Sequence, residues 1–366
     1  MVMANFNKKL SLKVKIKAWA MRRLCKKESP QPLSHQSVKS ILVMRYDRIG
    51  DMIVTTPLIH VLRKYYPDSH IMVLASKANY DVIIQNPDVD EVLIFPKSLL
   101  ARIAVLMKLR KRKLSMVVDL YHDLIWHAII AIRLIRPTWV SSSFKNNRYG
   151  VDAKSLDLYD VMSKVDVTHP ISEIYLGIAT ALGAKLNRDD YFYRLNPNAE
   201  QRQWANANIK QGVNVGINLF SSHVDRRLKS EDCIALCQQI LNEKPDANVF
   251  LLATHQTLAE MKRLADSMGS SKVFVLPPKD NIMFIVSFIK LLNFLITPDT
   301  SLVHVACACN TPFIGVYPKS SGNYTHWKPK HLSNRFNVIF SLKEKSLDGY
   351  SKQMLKQAVH EMMVKL

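Results

Sequence analysis

Three stretches of this chain set charged or hydroxyl side chains directly behind a short apolar run. Arg45-Tyr46-Asp47-Arg48-Ile49-Gly50-Asp51 follows Ile41–Met44, Ser221-Ser222-His223-Val224-Asp225-Arg226-Arg227 follows Val213–Leu219, and Asp299-Thr300-Ser301 follows Phe294–Thr297. Each run is apolar enough for a buried parallel strand, and helical patterns follow. In a strand–loop–helix unit the loop lies at the carboxyl end of the strand, where open α/β sheets bind ligands. Asp51 is thereby expected at the mouth of a cleft; the plainer alternative is a cap for the helix that follows. Ser221, Ser222 and Arg226 combine hydroxyls with a guanidinium, which is what a diphosphate requires of its host. The amides of Thr300, Ser301 and Leu302 open a helix and are expected to point at an anion. Asp299 reads as a plain N-cap, a role compatible with lining the site. His304, one turn further on, reads as a packed or supporting histidine rather than a catalyst.

The elements that must hold these loops alternate between strand and helix. Strands are expected at Ile41–Met44, Ile71–Ala75, Glu91–Phe95, Met116–Leu120 and Trp139–Ser143, with helices between them, including Lys77–Gln85, Ser98–Lys113 and Leu124–Arg136. Pro57 suits the first turn of a helix capped by Thr55 or Thr56, or else kinks one that starts at Asp51. A polar, weakly periodic stretch at 186–212 separates this series from a second, which runs from Val213 to Tyr317 without detectable sequence repeat of the first. The expectation is an α/β chain: a basic extension at 1–37, an α/β domain at 38–185, a connection at 186–212, a second α/β domain at 213–345 and a terminal helix at 346–366. Asp88-Val89-Asp90 follows Asn86-Pro87 and reads as a surface turn, not a metal motif.

Across 366 residues, 51 Lys and Arg stand against 30 Asp and Glu, a net charge of +21. Such an excess draws the protein to a polyanion: nucleic acid, an anionic bilayer or a phosphorylated substrate. Helix-turn-helix, RNA-recognition and zinc spacings are not seen, which leaves no specific nucleic-acid partner expected. Five cysteines, odd in number, form no disulfide framework, and Cys233 with Cys237 reads as a pair of buried thiols on one helical face. The most apolar run, Met283–Pro298, is interrupted by Ser287, Lys290 and Asn293 and reads as a core helix entering a strand. Before the first acidic residue, Glu28, nine Lys and Arg interleave with Leu10, Leu12, Val14, Ile16, Trp19, Ala20 and Met21. This is either a basic helix for an anionic membrane surface or a solvated tail, closed by a Ser29-Pro30-Gln31-Pro32 linker.

The pieces ILVMRYDRIGDMIVTTPLI, HPISEIYLGIATALGA, GINLFSSHVDRR and ITPDTSLVHVACACNTPFIGVYP, with Trp327-Lys328-Pro329 beyond, resemble glycosyltransferase family 9, the lipopolysaccharide heptosyltransferases, over about residues 40–335. The resemblance implies a GT-B fold, two Rossmann-like parallel-sheet domains facing a central cleft. It implies metal-independent, inverting transfer from a nucleotide-sugar of the ADP-heptose kind to a lipid-linked anionic glycan, the lipopolysaccharide inner core. It places the protein peripherally at the cytoplasmic face of the cell membrane, with residues 1–37 and the 102–113 helix as contacts for anionic headgroups. Position by position it makes Asp51, after Gly50, the catalytic base. Ser221, Ser222 and Arg226 become donor-diphosphate contacts, and Asp299, Thr300 and Ser301 the second phosphate loop. The chain departs from the family in carrying Ser301 for glycine, Arg226 for lysine, no acid around Thr257 where the family holds the nucleotide ribose, and Trp126 and His127 in the acceptor-side loop Asp119–His127. The other readings are a family-9-like transferase for a different nucleotide-sugar, and a non-catalytic basic protein that binds glycan or nucleic acid.

Overall fold

A near-continuous apolar strand, Ser40–Arg45 (β1), forms the middle of a six-stranded parallel sheet, five of its six residues being buried. The computed structural model describes residues 11–27, 32–319 and 323–366. Lys8, Lys9, Leu10, Glu28 and the Ser29–Gln31 part of the expected linker lie outside the described residues. β1 pairs with His70–Ala75 (β2) on one side and Met116–Asp119 (β4) on the other. Glu91–Ile94 (β3), Trp139–Ser142 (β5) and the two-residue Val161–Met162 (β6) complete the order β3-β2-β1-β4-β5-β6. A parallel strand flanked on both edges and covered on both faces has no wet side, hence the unbroken apolar runs.

The second sheet is built from Asn214–Ile217 (β7), Asn248–Leu252 (β8), Val273–Leu276 (β9), Phe294–Pro298 (β10), Phe313–Tyr317 (β11) and Phe336–Phe340 (β12). Its order is β12-β11-β10-β7-β8-β9. Counted from its own first strand this is the order of the first sheet, so two sequences without a visible repeat fold to one topology. In both sheets the order reverses beside the first strand, and the crevice at the carboxyl ends there is where such sheets bind ligands.

Chain contacts group residues up to Tyr46, Leu58–Lys77 and Asp88–Leu186 as one unit. The second comprises Asp47–Pro57, Ala78–Pro87 and Asn187–Leu366. The loop after β1 therefore packs with the second unit. Residues 187–212 are not uniformly irregular: Ala199–Asn208 is a helix that packs against Ile282–Ile289, with Trp204 edge-on to Phe284 at 5.5 Å. Its start is a capping box in which Asn198 accepts from the Gln201 amide at 2.9 Å and Gln201 from the Asn198 amide at 2.7 Å. The expected helix Lys77–Gln85 shrinks to Tyr80–Ile83.

In the first unit Leu12–Leu24 is a helix whose Ala18 and Met21, with Cys25 beyond it, are buried in the core. Met21 alone contributes about 1.5–3 kcal/mol of burial. Lys27 anchors the exit through Asp160 at 2.7 Å. This segment is part of the domain, not a solvated tail. Asp119, at the head of the Asp119–His127 loop, is buried and pairs at 2.8 Å with the fully buried Lys145. Beyond it, His127 packs against Tyr121 and Tyr46. The Asp88–Asp90 turn is held by His60, which meets Asp88 at 2.9 Å, and by the Ile71 amide donating to Asp90 at 2.7 Å.

Lys145→Met leaves a carboxylate buried without its cation, a change that costs about 3–5 kcal/mol. The expected result is a melting temperature lower by at least ~5 °C, largely restored by adding Asp119→Leu. An unchanged melting temperature in the single variant contradicts the pairing.

Candidate functional site

The three loops singled out by their chemistry meet in the second unit around a cavity of about 640 Å³. The first loop enters as Asp47-Arg48 and turns into the short helix Ile49–Ile53. Arg48 is its N-cap and Asp51 its third residue, so the Arg48 amide donates to Asp51 Oδ2 at 3.3 Å. Asp51 thus performs the capping duty and lines the cavity as well. A second helix, Thr56–Tyr65, starts after a break, with Pro57 in its first turn. At the break the Thr55 and Thr56 hydroxyls donate to the carbonyls of Asp51 and Ile53, each at 2.7 Å.

The other two loops leave β7 and β10, the strands flanking the reversal in strand order. Buried Asn218 ties them together. Its amide donates to the Ile296 carbonyl at 2.9 Å, and its side-chain nitrogen to Thr297 Oγ1 at 2.9 Å and the Phe220 carbonyl at 3.0 Å. Asn218 was not singled out from the sequence; its position at the end of β7, just before the hydroxyls, is the signal available.

On the β10 side the helix Ser301–Cys309 is capped by Thr300, whose Oγ1 accepts from the Leu302 amide at 3.2 Å. That corrects two expectations. Asp299 is not the N-cap: its amide continues the sheet by donating to the Val316 carbonyl at 3.0 Å, and its carboxylate meets Arg226 at 3.5 Å. Leu302, whose amide was expected to face an anion, is absent from the cavity lining, and its N–H is engaged by the Thr300 cap. Thr300 and Ser301 do line it, at the end of a helix where unpaired amides and the macrodipole favour negative charge. Ser221, Ser222, Arg226 and Asp299 complete that wall, with Arg226 closing a one-turn 3-10 helix, Val224–Arg226.

Gly50 joins the two walls. A Cβ placed there would lie 3.6 Å from the His304 ring and 3.7 Å from Ser301 Cβ, so the short helix rests on the first turn of Ser301–Cys309. His304 lines the cavity from a buried position, edge-on to Tyr193 at 5.6 Å and tilted on Trp327 at 6.0 Å. Its Nδ1 has no hydrogen-bond partner among the described residues, and burial pushes its pKa down to about 4. At neutral pH it is an uncharged ring. Trp327 was noted in the sequence only as part of a motif, and its place beside His304 was not foreseen.

Among the described residues no three His, Cys, Asp or Glu side chains converge as metal ligands. No described helix is long and apolar enough to cross a membrane. All five cysteines are free, four of them buried.

Two doubly wound parallel sheets, with an anion-receptive loop pair at the reversal of one of them, define a GT-B-type glycosyltransferase fold. Residues 143–359 match the family described as "Glycosyltransferase family 9 (heptosyltransferase)", and the chain belongs to that family; it is a transferase enzyme. It is 21% identical over 298 residues to lipopolysaccharide heptosyltransferase 1 of Campylobacter coli, spanning 76% of this chain and 83% of that protein. The family 9 glycosyltransferase of Veillonella parvula superposes with a TM-score of 0.74 at 17% identity, over 91% of this chain and 99% of that one. The E. coli ADP-heptose lipopolysaccharide heptosyltransferase II gives 0.70 at 17% identity, over 89% and 99%.

The depressed value of His304 has a consequence for acid stability. Below its ordinary pKa of ~6.5 the unfolded chain takes up the proton more readily than the folded one. The stability contributed by the neutral ring is complete above that value and declines as pH falls toward 4, by at most ~3 kcal/mol. His304→Phe keeps a ring between Tyr193 and Trp327 and removes the titration. The variant is expected to lose less stability than wild type between about pH 7 and 4.5 in urea unfolding. His331, also held down by burial, stays in both proteins. Equal losses contradict the assignment.

Proposed function

We propose that the protein transfers a sugar, with inversion, from a nucleotide-sugar of the ADP-heptose kind to a lipid-linked anionic glycan, the lipopolysaccharide inner core. The observation that carries this reading is the sharing of one cavity by the Asp51 carboxylate and the Arg226–Thr300–Ser301 wall. An inverting displacement needs a base for the acceptor hydroxyl proton as that oxygen attacks C1. It also needs positive charge and N–H groups where negative charge builds on the departing diphosphate. Asp51 takes the first role. Arg226, the Ser221 and Ser222 hydroxyls and the amides of Thr300 and Ser301 take the second, with no divalent metal assigned a part. Asp299 holds Arg226 toward the cavity, and His304 with Trp327 forms an uncharged wall. A donor of the ADP-heptose kind is supported by the name of the E. coli neighbour and by the family description. The work is assigned to the cytoplasmic face of the membrane, with the protein bound peripherally.

A second reading keeps the chemistry and changes the donor to another nucleotide-sugar. It is favoured by the Thr254–Thr257 loop, which has no acid and turns the Thr257 hydroxyl inward to the Thr254 amide at 2.9 Å.

A thermal-shift screen separates the two. Ligands stabilise by mass action, about 2.7 kcal/mol at a hundredfold excess over Kd. ADP is expected to raise the melting temperature more than UDP, GDP or CMP, and a different leader replaces the heptose donor by another sugar nucleotide. Asp51→Asn is expected to lower transfer by at least ~100-fold while the ADP shift persists. Arg226→Ala is expected to lose most of that shift. Near-wild-type turnover in Asp51→Asn removes this carboxylate from the mechanism.

A further inference from the structure

In the first unit the helices Leu12–Leu24, Leu99–Lys111 and Trp126–Ile135 cover one face of the sheet. Leu12–Leu24 and Leu99–Lys111 each contact Trp126–Ile135, and all three bury side chains in one core with Leu42, Met44, Met72 and Leu74. Those strand residues alternate and so point to the same side.

Two of the three helices carry a second apolar face that no other described residue covers. In Leu12–Leu24 the core takes Ala18 and Met21, while Leu12, Ile16 and Trp19 are 75%, 57% and 64% exposed. The spacing i, i+4, i+7 puts these three on one stripe, directed away from Ala18 and Met21. In Leu99–Lys111 the core takes Leu106 and Leu109, while Leu99 and Leu100 are 70% and 79% exposed and Ile103 and Met107 follow on the same flank. Ile130 of Trp126–Ile135 is also exposed. Isolated surface hydrophobes need no account, but clustered rows on neighbouring helices do.

The charge of the same helices names the occupant. They hold five, four and one Lys or Arg respectively, and no Asp or Glu. Lys13, Lys15, Arg22 and Arg23 are exposed around the Leu12–Trp19 stripe. Apolar side chains with a tryptophan, surrounded by exposed cations, suit the boundary between anionic headgroups and acyl chains.

We infer that this three-helix face of the first unit is the protein's bilayer-docking surface: Leu12, Ile16 and Trp19, with Leu100 and Ile103, enter the acyl boundary of an anionic leaflet while the flanking Lys and Arg meet its headgroups. This deepens the proposed membrane location by assigning it to one folded face, in place of a detachable arm. Removing residues 1–37 would strip Met21 and Cys25 from the core, so point variants on the exposed side are the proper test.

The full-length protein is sedimented with phosphatidylglycerol–phosphatidylcholine vesicles and with pure phosphatidylcholine vesicles, neither carrying a glycan acceptor. Wild type is expected to bind the anionic vesicles, less so as salt rises, and to leave the neutral ones. Ile16→Glu/Trp19→Glu and Leu100→Glu/Ile103→Glu are each expected to bind at least about tenfold more weakly. A vesicle-induced blue shift in tryptophan emission is expected in wild type and lost in Trp19→Phe. Three results overturn the inference: no binding by wild type, unchanged binding by both apolar variants, or a wild-type dimer that Ile16→Glu/Trp19→Glu converts to monomer, which would give the face to a second copy of the chain. The ADP thermal shift is read on the same variants. Its retention shows they are folded, and its absence from wild type counts against the donor reading alone.

Discussion

The site depends on one close packing: the backbone of Gly50 against the first turn of the Ser301–Cys309 helix. With Cβ-to-neighbour gaps of 3.6–3.8 Å, the Ile49–Ile53 turn lies on Ser301 and His304. That contact brings a carboxylate and an anion-receptive helix end to the same cavity, though 249 residues separate Asp51 from Ser301 in sequence. The groups that support it are uncharged. His304 stays neutral because burial disfavours its cation, and Tyr193 and Trp327 close around it.

How far the sequence revealed this depended on the kind of signal. Parallel strands buried on both faces leave unbroken apolar runs, so β1, β2, β4 and β10 are legible to within a residue or two. β6 has two residues and β12 is only half-buried, and both escaped notice. Ala199–Asn208 reads as loop by its polar composition; the Asn198-x-x-Gln201 capping box is the signal that marks it as a helix. The three site loops stood out because residue type and position after a strand agreed. Which residue caps the Ser301 helix was not legible, since Asp299 and Thr300 are both good N-caps and only the Val316 pairing decides between them.

The amino-terminal helix shows a different limit. Its apolar residues were visible as a set, but one set divides between two surfaces: Ala18 and Met21 into the core, Leu12, Ile16 and Trp19 out to solvent. Periodicity reports that a helix has an apolar side and is silent on how many neighbours will claim it. A helix apolar on opposite sides gives a weak amphipathic signature and reads as an appendage, although its loss would open the core.

The most direct test of the account is the structure of the protein crystallised with ADP. The diphosphate is expected against the Thr300 and Ser301 amides, within hydrogen-bond reach of Arg226 and Ser221 or Ser222, with Asp51 bordering the space beyond the β-phosphate. A diphosphate bound elsewhere, or an Asp51 carboxylate facing away from that space, would contradict it.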